Sequence, residues 1–96
     1  MQNIIVRFIL QPNKRDSFLE LLKVSLIDTR NFKGCISIET YTDEEDPNSV
    51  WLLQKWQSRN DYDDYVKWRL ANGMIEALAP FVSKPLEITY IKPNSA

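Results

Sequence analysis

Apolar residues dominate the start of the chain and sort onto two faces with a period of two. From Ile4 to Leu10, the residues Ile4, Val6, Phe8 and Leu10 fall on one face and Ile5, Arg7 and Ile9 on the other. A period of two marks a strand, and the apolar character of both faces predicts one that is covered on both sides. Pro12 and Asn13 break the run, and the period then lengthens to that of a helix from about Arg15 to Arg30. Phe18, Leu22, Ser25 and Leu26 line one side of this helix, with Leu19 and Leu21 flanking. Asn31-Phe32-Lys33-Gly34 ends it, with Gly34 suited to a positive φ. Cys35 to Thr42 alternates again, placing Ile36 and Ile38 on one face and Ser37, Glu39 and Tyr41 on the other.

An acidic turn, Asp43 to Ser49, leads into a third strand from Val50 to Trp56. Ser58 followed by Asp61 is the spacing of a capping box, so a second helix should begin there. Asn72-Gly73 interrupts that helix, Met74 to Val82 reads as a further short helical stretch with Pro80 near its last turn, and Pro85 to Ile91 as a last strand. Lys92 to Ala96 is a polar tail. The order β-α-β-β-α-β, with short connections and right-handed crossovers, predicts an α+β fold: one ferredoxin-like split βαβ domain with an antiparallel sheet over residues 1–96. Helices cover only one face of such a sheet, so the apolar residues left on the other predict a homodimer joined face to face about a twofold axis.

Composition narrows the chemistry more than the fold. A net charge of −1 and scattered basic residues give no footprint for nucleic acid. No apolar run reaches the roughly 18 residues of a membrane span, and the first residues lack the pattern of a secretory signal, so a cytoplasmic protein is expected. There is no histidine, which rules out Ser-His-Asp and Cys-His machinery and the usual catalytic zinc sites. The single cysteine, Cys35, has no such activator and reads as a small filler. The carboxylates Asp43, Glu44, Glu45 and Asp46 lack the spacing of a calcium loop and read as a solvated hairpin. With no glycine-rich phosphate loop either, no metal, haem or flavin is expected.

The candidate site lies in the second helix. Helical spacing brings Tyr62, Tyr65, Val66 and Arg69 onto one face, with Trp68 at its edge, and all 3 tryptophans (Trp51, Trp56 and Trp68) fall in this part of the chain. A guanidinium on an inward face needs an anion, carbonyls or an aromatic plane, because burying it unpaired costs several kcal/mol, on the order of the penalty for any lone buried charge. Arg69 therefore either salt-bridges Glu76 or Glu39 or binds an anionic ligand. Trp56 is a core residue, a pocket wall or both. Tyr62 and Tyr65 are either packed or catalytic. Trp51, on the opposite strand face from Leu52 and Trp56, points to the subunit interface, and Arg7 to an intersubunit ion pair.

Several spaced residues are similar to those of a known family. Arg7-Phe8 precedes Pro12-Asn13-Lys14-Arg15, Thr29-Arg30 leads to Lys33-Gly34-Cys35, and Glu45-Asp46-Pro47 precedes Leu53 to Trp56-Gln57-Ser58. In that order they resemble the antibiotic biosynthesis monooxygenases, whose ferredoxin-like subunits pair into dimeric α+β barrels. Tyr65-Val66-Lys67-Trp68-Arg69 and Pro85 resemble one bacterial branch. The resemblance implies oxidation of a hydroquinone- or anthrone-like aromatic by O₂, without a metal or bound flavin. Taken together with the helical spacing of the second helix, it makes Tyr62, Tyr65 and Arg69 the catalytic candidates and Trp56, Trp68 and Leu52 the substrate-binding ones. Trp56 matches the family's strand-end tryptophan and Tyr62 a tyrosine of one polyketide-tailoring branch. Leu52 stands where that branch has asparagine, and Tyr65 where many quinol-oxidising relatives have histidine. Haem-degrading relatives need an axial histidine that this chain lacks. The alternative reading is a non-catalytic dimeric barrel that binds a small hydrophobic ligand.

Overall fold

The computed structural model describes all residues, Met1–Ala96. The elements are β1 (Gln2–Ile9), α1 (Arg15–Asn31), β2 (Cys35–Thr42), β3 (Ser49–Trp56), α2 (Arg59–Ala71), α3 (Met74–Leu78) and β4 (Glu87–Ile91). The four strands form one sheet in the order β2-β3-β1-β4, and every neighbouring pair is antiparallel. This is the split βαβ arrangement that the element order predicts.

The period-two pattern sets which residues become core. Ile4, Val6, Phe8 and Leu10 are buried beneath the helices, joined by Val50, Leu52 and Trp56 from β3 and by Phe18, Leu22 and Leu26 from α1. Leu10 extends the β1 face past the strand through an isolated bridge to Val82. The other sheet face carries Ile5, Ile9, Trp51 and Leu53, all half-buried with no helix over them.

Three local expectations change. Ile36 does not share a face with Ile38. Pairing jumps from Cys35↔Trp56 to Ser37↔Lys55, so a bulge at Ile36 turns it outward, half-exposed, and Cys35 packs on the core instead. One extra residue in a strand reverses the parity of all that precedes it. The helical stretch after Gly73 stops at Leu78, before Pro80, and Phe81 and Val82 run back along the end of β1. Arg7 needs no second subunit for its charge. It pairs with Glu87 at 3.2 Å and Asp46 at 3.6 Å, donates to the Ser49 hydroxyl, and lies over the Trp51 ring.

The junction between α1 and β2 fixes where α2 starts. Gly34 has φ 89°, and the Asp61 side chain occupies the space a Cβ would need there. Ser58 caps α2 by accepting the Asp61 N–H at 3.1 Å, and the Gln57 N–H donates to the Gly34 carbonyl at 2.8 Å. Gly34→Ala thus meets both a disfavoured backbone and a filled space. We expect a loss of about 2–4 kcal/mol, the range for left-handed strain plus a packing clash, read as a lower urea midpoint. An unchanged midpoint would show that α2 is not seated on this glycine.

Candidate functional site

Between the sheet and the two long helices lies a cavity of about 150 Å³. Its floor comes from the sheet (Val6, Leu52, Gln54 and Ile88) and its walls from α1 and α2, while Gly73, Met74 and Leu78 close one end. The cavity exists because α2 brings Tyr62, Tyr65, Val66 and Arg69 to one inward face, as the helical period predicts. Leu52, Tyr62, Tyr65 and Arg69 all line it. No Asp, Glu or Lys does, so Arg69 is the one charged side chain in the wall.

Arg69 contacts neither Glu76 nor Glu39. Its Nε donates to the Tyr65 hydroxyl at 2.8 Å, and its Nη2 donates to the Ser25 carbonyl at 2.6 Å and the Thr29 hydroxyl at 2.9 Å. The guanidinium also lies 4.9 Å from the Trp68 ring centroid and 5.4 Å from that of Tyr65. Carbonyl, hydroxyl and π-face partners satisfy its geometry without neutralising its charge, which leaves the cavity electropositive.

Thr29 is the residue this network adds to the sequence reading. It is wholly buried, and its hydroxyl lies 2.7 Å from that of Tyr65, with either able to donate. When Thr29 donates, the Tyr65 O–H is free to meet a ligand oxygen. The signal was a polar residue following Leu22 and Leu26 on the inward side of α1.

Tyr62 is buried, and its hydroxyl forms no hydrogen bond within the chain. Desolvation first, and then the neighbouring Tyr90 and Tyr65, push its pKa well above the usual phenol value, so it stays protonated at neutral pH and can only donate or accept as a neutral hydroxyl. Burial likewise raises the Cys35 thiol, with Arg30 opposing weakly, and so keeps it from acting as a thiolate.

Two expected substrate contacts fall elsewhere. Trp56 and Trp68 are not part of the cavity wall. Trp56 is fully buried beside it, with ring centroids 5.0 Å from Tyr65 and 5.8 Å from Tyr62, and its indole N–H donates to Gln54 Oε1 at 2.9 Å. Trp68 packs on Phe32 at 5.6 Å and covers the Arg69 guanidinium from outside. Large rings at the strand–helix corner serve best as filler, and Phe32 completes that cluster at 5.3 Å from Tyr65. In the acidic turn, Asp43 accepts the N–H groups of Glu45 and Asp46, while Asp46 accepts from Asn48 and Ser49. These carboxylates brace the hairpin.

The family model for antibiotic biosynthesis monooxygenases matches residues 1–70, a span that holds Leu52, Trp56, Tyr62, Tyr65 and Arg69. The chain belongs to the antibiotic biosynthesis monooxygenase family. Solved structures similar to this family member include an antibiotic biosynthesis monooxygenase at TM-score 0.84, with 16% identity and coverage of 98% of this chain and 99% of that one. A conserved protein from Methanosarcina mazei Go1 superposes at TM-score 0.83, with 20% identity over 97% and 92% of the two chains. Rv0793 from Mycobacterium tuberculosis does so at 0.74, with 22% identity over 99% and 96%. At these identities the likeness speaks for the fold. Among curated proteins, sll1783 of Synechocystis sp. is 28% identical over 82 residues, which are 85% of this chain and 56% of the relative. The chain thus spans about half the length of that relative. No helix of this monooxygenase-family chain is long and apolar enough to cross a membrane.

Proposed function

We propose that the chain is a cofactor-independent monooxygenase for a small, electron-rich aromatic of the hydroquinone type. The observation that carries this reading is the apolar cavity whose one charge is Arg69, held by hydroxyls and a carbonyl with no carboxylate to neutralise it. Such a site favours the ionised form of a phenolic substrate, and the anion is the form that gives an electron to O₂. Radical recombination then joins carbon to oxygen, and loss of water leaves a carbonyl. For a hydroquinone, C₆H₆O₂ and O₂ give hydroxyquinone, C₆H₄O₃, and H₂O: one oxygen atom enters the ring and the other leaves as water. Arg69 and the Tyr65 hydroxyl hold the anionic oxygen, the protonated Tyr62 hydroxyl offers a further hydrogen bond, and Leu52 and Val66 keep water from the ring.

The test is oxygen uptake by the pure protein with a hydroquinone, alongside product analysis. Uptake well above the uncatalysed rate, with one labelled oxygen in the product, is expected. Tight binding of the same compound without uptake would favour the second reading, a barrel that binds a small hydrophobic ligand. That reading draws on the filled ring cluster around Trp56 and Trp68, which lies outside the cavity.

The working unit in this proposal is a homodimer joined through the sheet face that bears Ile5, Ile9, Trp51 and Leu53. These residues are half-covered within one chain, and Tyr41 beside them is 49% exposed. Ile5→Asp would bury a lone charge in that joint. We expect the sedimentation profile to shift to monomer and the melting temperature to fall with it, because small obligate dimers often lack a stable monomer. A parent chain that sediments as a monomer at micromolar concentration, or an Ile5→Asp dimer, would remove this interface.

A further inference from the structure

Gln54 sits on the floor of the cavity, is 3% exposed, and occupies an inward position of a central strand where Leu52 and Trp56 are its like-facing neighbours. Its amide orientation is fixed by chemistry. The Trp56 indole N–H can only donate, so the Gln54 atom 2.9 Å from it must be the oxygen. The amide nitrogen therefore carries both of its hydrogens away from Trp56. It forms no hydrogen bond within the chain, yet it is not among the fully enclosed unpaired atoms, of which Asn3 Oδ1 is the sole case. A buried amide that lines a cavity with an unpaired NH₂ group is costly unless something in the cavity accepts from it.

We propose that Gln54 is a specificity-determining residue, whose amide N–H donates to a second oxygen on the substrate while Arg69 and Tyr65 hold the first. Trp56 acts as a positioning residue, because it pins the amide oxygen and so keeps the NH₂ group turned to the cavity. The volume sets the rest of the substrate class. A cavity of about 150 Å³ is the size that takes one benzene ring in an engineered apolar core. The enclosed space thus fits a single ring with two oxygen substituents, a dihydroxybenzene, whereas a fused tricyclic anthrone has to extend out through the open side of the cavity. The polar side chains that line the cavity (Ser25, Gln54, Tyr62, Tyr65, Arg69 and Asn72) all carry a hydrogen-bond donor and none is a carboxylate, which matches a ring whose oxygens are acceptors when ionised. This inference deepens the monooxygenase reading and rests on the same cavity.

The test measures binding without oxygen, so turnover does not enter. Anaerobic titration of the full chain compares hydroquinone, 4-methylphenol (one oxygen, similar size) and a tricyclic anthrone. The parent should bind hydroquinone roughly tenfold more tightly than 4-methylphenol, the scale of one buried donor left unpaired, and the anthrone most weakly. Gln54→Met keeps the stem and removes the donors, so it should erase the preference by weakening hydroquinone alone. Gln54→Glu keeps the acceptor for Trp56 and serves if the methionine variant does not fold; its carboxylate should weaken hydroquinone further. If a folded variant retains the parent's preference, Gln54 is not the determinant, while the oxygenase reading stands. Anthrone binding as tight as hydroquinone overturns the single-ring assignment. If the parent binds none of the three, this inference and the proposed function fall together.

Discussion

Arg69→Met is expected to slow oxidation of a hydroquinone about 100-fold, the scale on which a single positioned electrostatic donor acts. Methionine keeps the length and apolar stem that pack on Trp68, but removes the charge and the three donors to Tyr65, Ser25 and Thr29. The Ser25 carbonyl and Thr29 hydroxyl lose a partner, so stability should also fall, by about 1–2 kcal/mol, with the chain still folded at room temperature. Circular dichroism and oxygen uptake on the same sample separate the two effects. A folded variant with the parent's rate would show that this charge does not act on the substrate. Ser25 and Thr29 belong to α1 and Arg69 to α2, so the side chain that charges the cavity also ties its two walls together.

Trp56→Ala should have the largest effect on stability. The indole is fully buried and touches Phe32, Tyr62 and Tyr65. Its removal should cost about 3–5 kcal/mol, the usual range for a large aromatic cut to alanine in a core. That is a large share of the 5–15 kcal/mol that holds a typical domain together. A denaturant titration should show the midpoint fall steeply, and near-ultraviolet dichroism should lose the signal of the ring cluster. A loss below about 1 kcal/mol would mean that the corner re-packs freely and that Trp56 is not its keystone.

Much of this was legible in the chain because it is carried by periodicity. Ile4, Val6 and Phe8 announced an inward face, and Tyr62, Tyr65 and Arg69 announced a helical one; both faces lie where the spacing put them. What spacing could not supply were the partners. The sequence offered Glu76 and Glu39 as partners for Arg69, yet the fold sets it against the Tyr65 hydroxyl of its own helix and a carbonyl and a hydroxyl of α1, Ser25 and Thr29. Trp56 and Trp68 were candidates for a ligand because aromatic rings suit both cores and pockets, and composition does not distinguish the two. Gln54 went unremarked although the clue was there: a polar residue at an inward place in an otherwise apolar alternation of Val50, Leu52 and Trp56. The bulge at Ile36 and the early end of α3 depend on pairing with distant strands, which no local window contains.

The sheet leaves two strands, β2 and β4, with one side unpaired. Rows of free N–H and C=O groups of this kind can template the growth of other chains into fibrils. Neither offers a long, regular row. The bulge at Ile36 breaks the ladder of β2 near its start, and β4 runs only 5 residues between Lys84-Pro85 and Lys92-Pro93. Proline cannot donate to an incoming strand, and lysine resists being covered by one. The outer strands thus carry their own protection against stacking, which leaves the apolar open face free to stay sticky without making the protein prone to aggregate along its edges.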